Sequence, residues 1–425
     1  MRLNPNAMRI LLPIFIVFVL FAKTAEAQTN NSPYSIIGIG DIEDSYFNRT
    51  SGMANTGIGY RNSHSLINNN PASFSALDNQ FFTGEIGVRG KLITYYGSPI
   101  DPTNNVSSDI TFRRFVLGIK AAKHWGTSIG LVPFSSENYE FTAPQLILGT
   151  NGETTNSYAE GFGGINRVYW ANSYEFFNHL SIGVDASYLF GSINSKTILQ
   201  NPGLPSTYVS TNRNSAYTGL YFNYGLQYFG KINKKWNFSV GGTFSNKTTL
   251  NSDNSIIILN IDSIQINQTP TNQSTFMLPV SYGVGFALTK NKKYTFLADY
   301  KYQDWSALHY SGFNYSLQSS ERISVGFEIS KIKNVYNASF ESSFFQAGLY
   351  YNNSYLNVRG QSIRDFGGTI GMGINSRRTP FAYNFSLQYG VKGTEINSLI
   401  QERYFALTFV FSYREVWYTK GRKYE

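Results

Sequence analysis

"YFALTFVFSY", residues 404–413, alternates without a break. Phe405, Leu407, Phe409, Phe411 and Tyr413 share one side, and Ala406, Thr408 and Ser412 share the other. A period of two marks a strand with two unlike faces. The same pattern runs through 180–190 and through 236–245, where Trp236, Phe238, Val240 and Phe244 alternate with Asn237, Ser239, Thr243 and Ser245. Working outward from these three, fourteen such segments start near Phe81, Ile110, Trp125, Gly164, Leu180, Tyr217, Trp236, Thr275, Tyr294, Glu321, Phe344, Ile363, Phe381 and Arg403. An even number is what a single-chain bacterial membrane barrel requires.

Composition agrees. Aromatic residues make up 16% of the chain and charged residues 14%, the latter against about 25% in an ordinary globular domain. Mean hydropathy is slightly negative. Strands with one face on lipid and one on a polar lumen produce this combination, because the faces cancel in the mean while rings collect at the interfaces. There is no cysteine, which excludes disulfides and thiol chemistry. Arg2 and Arg9 flank or precede thirteen apolar residues at 10–22, too few for a spanning helix of about 20, and Ala25-Glu26-Ala27 forms an A-x-A cleavage site. The expected organisation is a signal peptide at 1–27, a leading segment at 28–79, an all-β transmembrane antiparallel barrel at 80–418 and a basic periplasmic tail at 419–425. Such a protein belongs in the bacterial outer membrane with both termini periplasmic.

Connections after even-numbered strands read as short: "KHWG", "FNHL", "GKINKKW", "TKNKKY" and "SRRTPF". Those after odd-numbered strands read as long, at 98–109, 141–161, 197–216 and 250–274. Short periplasmic turns and longer external loops give this alternation. The connection at 332–342 is the exception, being both even and long. The net charge of +9 is not spread for nucleic acid, because Lys123, Lys231, Lys234, Lys235, Lys290, Lys292, Lys293, Lys331, Lys333, Arg377 and Arg378 all fall in the short turns. They form a positive rim, suited to anionic lipid headgroups or to docking of a periplasmic partner.

The leading segment includes "SLINNNPASFSALD", 65–78, and shows no sustained alternation. It has packing residues in Ile36, Ile37, Ile39, Phe47, Met53, Leu66, Ile67, Phe74 and Leu77. A barrel of fourteen strands lies between the filled eight-stranded and the open sixteen-stranded kinds, so it leaks unless filled. A plug within the lumen is therefore expected over a free periplasmic tail. Asn70, Pro71 and Ala72 are its expected turn, fixed by the Asn side chain and the rigid ring.

The stretch "RTSGMANTGIGYRNSHSLINNNPASFSAL", 49–77, resembles the N-terminal hatch of the FadL family of outer-membrane transport proteins. "MLPVSYGVGFALTKNKKYTFLADYKYQDWSAL", 277–308, is similar to that family's Leu-Pro…Gly strand and the strand that follows. Residues 344–374 and 389–424 are similar to a branch of the superfamily found alongside type IX secretion. The resemblance implies fourteen strands, an N-terminal hatch and a sideways exit for ligand through a break in the third strand. Here that strand holds Gly130 and Pro133, the candidate lateral opening. Pro133 has no N–H for the ladder, so it marks either an opening or a bulge that only adds curvature.

Alternation points Glu85, Arg89, Arg114, Lys120, Arg167, Glu175, Asp185, Asp299, Lys301 and Glu328 into the lumen, since a charge on lipid costs about 2–4 kcal/mol at the midplane. These charges pair with each other and with the plug, or else Arg89, Arg114 and Arg167 form a fork for an acidic ligand head. His64 falls in the plug, His124 and His179 in short turns and His309 in an external loop near Asp304. No base stands beside a nucleophile, no metal-ligand spacing occurs, and neither cofactor nor catalysis is expected. The expected function is passive uptake of a hydrophobic or amphipathic small molecule. The alternative is an accessory barrel subunit of a secretion or barrel-assembly complex. Expected partners are outer-membrane lipid, such a ligand, and other outer-membrane or periplasmic proteins.

Overall fold

The computed structural model describes residues 32–79, 81–97, 100, 105–146, 154–200, 208–260, 265–312, 314–335, 338–376 and 379–416. The expected signal peptide, the tail at 419–425, and Arg377 and Arg378 lie outside the described residues.

Fourteen antiparallel strands form one sheet. They are β1 (Phe81–Tyr96), β2 (Val106–Ala122), β3 (Trp125–Leu146), β4 (Thr154–Phe176), β5 (Leu180–Gln200), β6 (Tyr208–Lys231), β7 (Trp236–Ser245, continuing as Thr248–Leu259), β8 (Gln265–Leu278, continuing as Ser281–Lys290), β9 (Tyr294–Gln303), β10 (Ser320–Val335), β11 (Ala338–Val358), β12 (Gln361–Asn375), β13 (Phe381–Gly393) and β14 (Gln401–Val416). β14 pairs with β1 from Val416↔Phe81 to Gln401↔Tyr96, which closes the barrel. Closure leaves neither β1 nor β14 as a sheet edge, as strands in a bilayer require.

The alternating sequence sorts the two faces. On β14, Phe405 and Leu407 are exposed on the outside, while Tyr404, Ala406, Thr408 and Val410 are buried inside. Exposed large apolar side chains recur outward around the wall, among them Trp170, Leu220, Val284, Leu349 and Ile370. All ten charged residues assigned to the lumen lie on the inner, buried or half-buried positions of their strands.

Two expectations about the connections are corrected. β10 runs to Val335 and β11 begins at Ala338, so 332–342 is a continued hairpin and the exceptional long turn disappears. The external connections are also shorter than read, because β3 to β8 continue through most of 141–161, 197–216 and 250–274. β6 has 24 residues, which at about 3.3 Å per residue and a tilt near 45° rises roughly 55 Å against a hydrocarbon core of about 30 Å. Beyond the bilayer neither face is held to lipid, so regular apolar alternation stops while the hydrogen-bonded ladder continues.

Residues 32–79 lie within the ring of strands. The segment bonds to inward groups on β1 (Glu85), β5 (Ser181), β6 (Gln227), β9 (Asp299), β11 (Gln346, through Glu328 on β10) and β12 (Thr369). Only a position inside the barrel reaches all of these walls. Ile39, Phe47, Met53, Leu66, Ile67, Phe74 and Leu77 are buried there, whereas Ile36 is exposed. Asn70 caps the short helical turn Pro71–Ala76: its Oδ1 accepts from the Ala72 N–H at 3.0 Å. Its Nδ2 donates to the carbonyls of Ile58, Leu226 and Gly242 at 3.0–3.2 Å. One side chain thus fixes the turn and ties it to the walls of β6 and β7.

That close approach needs glycine in the wall. A Cβ at Gly225 would land on Asn70 Oδ1 and the Pro71 ring, and one at Gly183 on the Pro71–Ala72 backbone. At lipid-facing Gly242 it would meet only a carbonyl at 3.9 Å. Gly225→Val is expected to lower unfolding stability by about 1–3 kcal/mol, the usual cost of overpacking. Gly242→Val should leave the urea midpoint within experimental scatter.

Candidate functional site

The long-strand end of the lumen holds a cavity of about 130 Å³. Three acids of the inner segment cross it, each reaching a base on a different strand. Asp41 meets Lys392 on β13 at 2.6 Å, Glu43 meets Arg89 on β1 at 3.4 Å, and Asp44 meets Arg322 on β10 at 3.3 Å. Lys91, Arg113, Asp365 and Tyr404 also line the space. The Tyr404 hydroxyl donates to Asp365 at 2.9 Å and lies 2.6 Å from that of Tyr350. Phe47 sits below Arg89 and Arg113, whose guanidinium carbons are 5.4 and 5.9 Å from its ring centre. Against this polar space packs an apolar cluster including Tyr34, Ile37, Ile39, Leu278, Trp305 and Tyr355. The lining itself is mainly polar and charged, and the cluster reaches it through Tyr355, with Ile42 packed alongside.

Arg113 escaped the sequence reading for a local reason. β1 and β2 pair Gly87 with Arg114 but Val88 with Phe112, leaving Arg113 as the extra residue of a bulge. The bulge lets two consecutive arginines be buried, where strict alternation would put one of them on lipid. Lys91, Arg322 and Lys392 were also missed, although they sit in step with the inward alternation of their strands, which was the signal that could have found them. Asp41, Glu43 and Asp44, on a segment without periodicity, carried no such signal.

A second layer of ion pairs lies deeper. Arg114 is fully buried and donates to Glu85 at 2.7 and 3.0 Å, to Asn68 at 2.7 Å, and to the carbonyls of Leu66 and Tyr46 at 2.7 and 2.9 Å. Arg49 meets Glu328 at 2.8 Å and Glu341 at 2.7 Å, with its guanidinium 3.7 Å from the Phe344 ring centre. The N–H groups of Gly57 and Ile58 donate to Asp299 at 2.6 and 2.9 Å. Arg61 meets Glu175 at 3.1 Å. Burial pushes its guanidinium down to about 10, against the opposing pull of Glu175, so it remains charged at neutral pH. Charge-assisted bonds in a water-poor interior are the strong kind, and removing one partner is costly.

The barrel wall has one discontinuity beside the cavity. β2 and β3 pair from Ala122↔Trp125 up to Phe115↔Leu131 and no further among the described residues. Above that level the inner segment takes the free edge of β3. Asp41 and Ile42 pair with Ser136 and Ser135, the Glu43 N–H donates to the Phe134 carbonyl at 3.0 Å, and the Ser32 N–H to the Asn138 carbonyl at 3.0 Å. Pro133 stands just above the last β2–β3 pair, at a register shift against β4 between Pro133 and Ser135.

The predicted residues thus separate. Arg89 lines the cavity, but Arg114 has its donors engaged by the protein. Arg167 is buried near Tyr46 and Tyr169, away from that lining. The three do not converge as a fork. Gly130 lies in the paired part of the wall, opposite Val116, and Pro133 lies at the discontinuity. Among the described residues no group of three or more His, Asp or Glu is placed to hold a metal.

A family model described as BamG matches residues 8–425. Among solved structures, a FadL homologue from Pseudomonas aeruginosa aligns at a TM-score of 0.59 and 12% identity, over 87% of this chain and 98% of that one. The toluene transporter TodX of Pseudomonas putida aligns at 0.57 and 16%, over 89% and 100%. The monoaromatic hydrocarbon channel CymD aligns at 0.55 and 15%, over 86% and 96%. No curated protein matches the sequence.

Arg114→Met is expected to cost about 3–5 kcal/mol in urea unfolding, because Glu85 is left buried without its partner. Arg114→Met with Glu85→Met should recover most of the loss. A single variant with wild-type stability would show that this pair does not anchor the inner segment.

Proposed function

This chain belongs to the BamG family, and from its closed, internally filled barrel we propose an outer-membrane conduit for an amphipathic small molecule. The short turns and both termini face the periplasm in this reading, and residues 28–79 act as the plug. The ligand enters from outside and rests in the upper cavity, its acidic head toward Arg89 and Arg113 and its apolar part against Ile42 and Tyr355. It leaves sideways, between β2 and β3. The observation that carries this reading is the end of β2–β3 pairing at Leu131, beside a cavity, with only a two-residue strand of the inner segment on the free edge. A few backbone bonds to β3, from Ser32, Asp41, Ile42 and Glu43, are a small barrier beside the buried ion pairs of the lower lumen, so the side route is the weaker wall. The folds of the toluene and hydrocarbon channels are consistent with such a route.

A second reading rests on a different observation. The lower lumen is crossed by Arg49, Arg61 and Arg114 with their carboxylates, all buried or nearly so. A stopper held this firmly suits an accessory barrel of an outer-membrane secretion or assembly complex that moves no cargo.

Ile42 and Ser135 are paired residues across the seam. In a chain with no cysteine, Ile42→Cys with Ser135→Cys should form a disulfide that stops uptake of an amphipathic anion by intact cells until reductant is added. Uptake unchanged in the cross-linked protein would overturn the side route. Isolation from solubilised membrane with stoichiometric protein partners, and with no small molecule in the lumen, would favour the accessory barrel.

A further inference from the structure

The outer wall carries a feature that passage through the lumen does not use. Between β9 and β12 the lipid-facing row includes Ala298, Ala347 and Gly368, small residues set among Phe296, Phe327 and Leu349. Register places them side by side: Phe296↔Phe327↔Ala347 and Val325↔Leu349↔Gly368 run across adjacent strands. The small residues make a trough of about 880 Å³ in the membrane face, within the range of about 300–1,000 Å³ typical of ligand sites. Its lining is almost wholly hydrocarbon, so it suits an acyl chain.

Directly toward the short-turn end lies a cluster of exposed positive charge. The turns joining β6 to β7, β8 to β9 and β10 to β11 carry Lys231, Lys234 and Lys235, then Lys290, Lys292 and Lys293, then Lys331 and Lys333. All eight are exposed. Among the described residues none is within ion-pair distance of a carboxylate. The neighbouring turn after β4, Phe177 to His179, carries no lysine at all. Among the described residues the charge is therefore concentrated on the β6–β11 side. Lys290 lies 5.0 Å from the Trp236 ring centre and Lys293 4.9 Å from that of Tyr294. Aromatic rings beside lysines mark the headgroup level of a membrane protein.

The two features fit one molecule. Phe296 is three residues from Lys293, and Phe327 four from Lys331. At about 3.3 Å per residue and a tilt near 45°, the trough begins roughly 7–10 Å into the bilayer from the lysines. That is the offset between a lipid phosphate and the upper part of its acyl chains. We propose that the β8–β12 face binds an anionic phospholipid, with its phosphate at the lysine cluster and an acyl chain in the trough. This rests on the orientation given above, in which the short turns face the phospholipid leaflet. Juxtamembrane lysines attract anionic headgroups additively, and the trough supplies the selectivity for a seated lipid over a merely attracted one.

The test is native mass spectrometry of the full chain released from detergent with phosphatidylglycerol or phosphatidylcholine. Phosphatidylglycerol is expected to be retained at least tenfold more tightly. Substituting glutamine for Lys290, Lys292 and Lys293 together should remove that preference, whereas the same change at Lys123, Lys196 and Lys247 should not. Ala347→Leu, which fills the trough without touching charge, should weaken retention of both lipids severalfold. Equal retention of the two lipids, equal loss in both lysine triples, or no effect of Ala347→Leu would each overturn the proposal. So would finding this face covered by a co-purified protein in place of lipid. A failure of uptake in the cysteine cross-linking experiment leaves these outcomes unchanged, because lipid retention does not depend on passage.

Discussion

The structure depends on the fact that a fourteen-stranded wall has an inner face that must be satisfied. Inward positions carry charged residues because lipid excludes them from the outside. Once inside, they are sealed from bulk water by the inner segment and cost several kcal/mol each unless paired. The inner segment answers position by position. It supplies Arg49 for Glu328 and Glu341, backbone N–H groups for Asp299, and three acids within four residues, Asp41, Glu43 and Asp44, for Lys392, Arg89 and Arg322. Wall and filling therefore form a single electrostatic unit.

That unit is not uniform along the barrel axis. In the lower lumen, side chains such as Arg114 have several partners and no exposure. In the upper lumen the pairs are single and partly solvated, with Asp44 about a third exposed. Firmness falls in the direction of the long strands, toward the cavity and the β2–β3 discontinuity. The part of the molecule best placed to change is the long-strand end.

The β2–β3 seam joins local chemistry to this gradient. Proline cannot donate to a ladder, and the register slips beside Pro133 against β4. The Arg113 bulge bends the facing strand at the same height. Two irregularities on adjacent strands separate the strands above them, and the inner segment covers the exposed edge. An uncovered edge would be a site for unwanted pairing, so the same two residues, Asp41 and Ile42, serve the wall as well as the filling.

Much of this was legible in the sequence. Period-two alternation and its interruption by short turns determined the strand number, the closed all-β class and the inward set from Glu85 to Glu328, because lipid and lumen impose opposite chemistry on successive residues. Strand starts at the short-turn end, such as Trp125, Leu180, Trp236 and Tyr294, coincide with the structure. Those at the other end came late, since alternation lapses outside the bilayer while the ladder continues. What only the tertiary structure decided was which charge meets which, that Arg113 joins the cavity while Arg114 and Arg167 are withdrawn from it, and that β2 leaves β3 above Leu131. Those outcomes depend on a bulge, a register slip and a non-periodic segment. Each is set by contacts between residues up to several hundred positions apart, which no local pattern records.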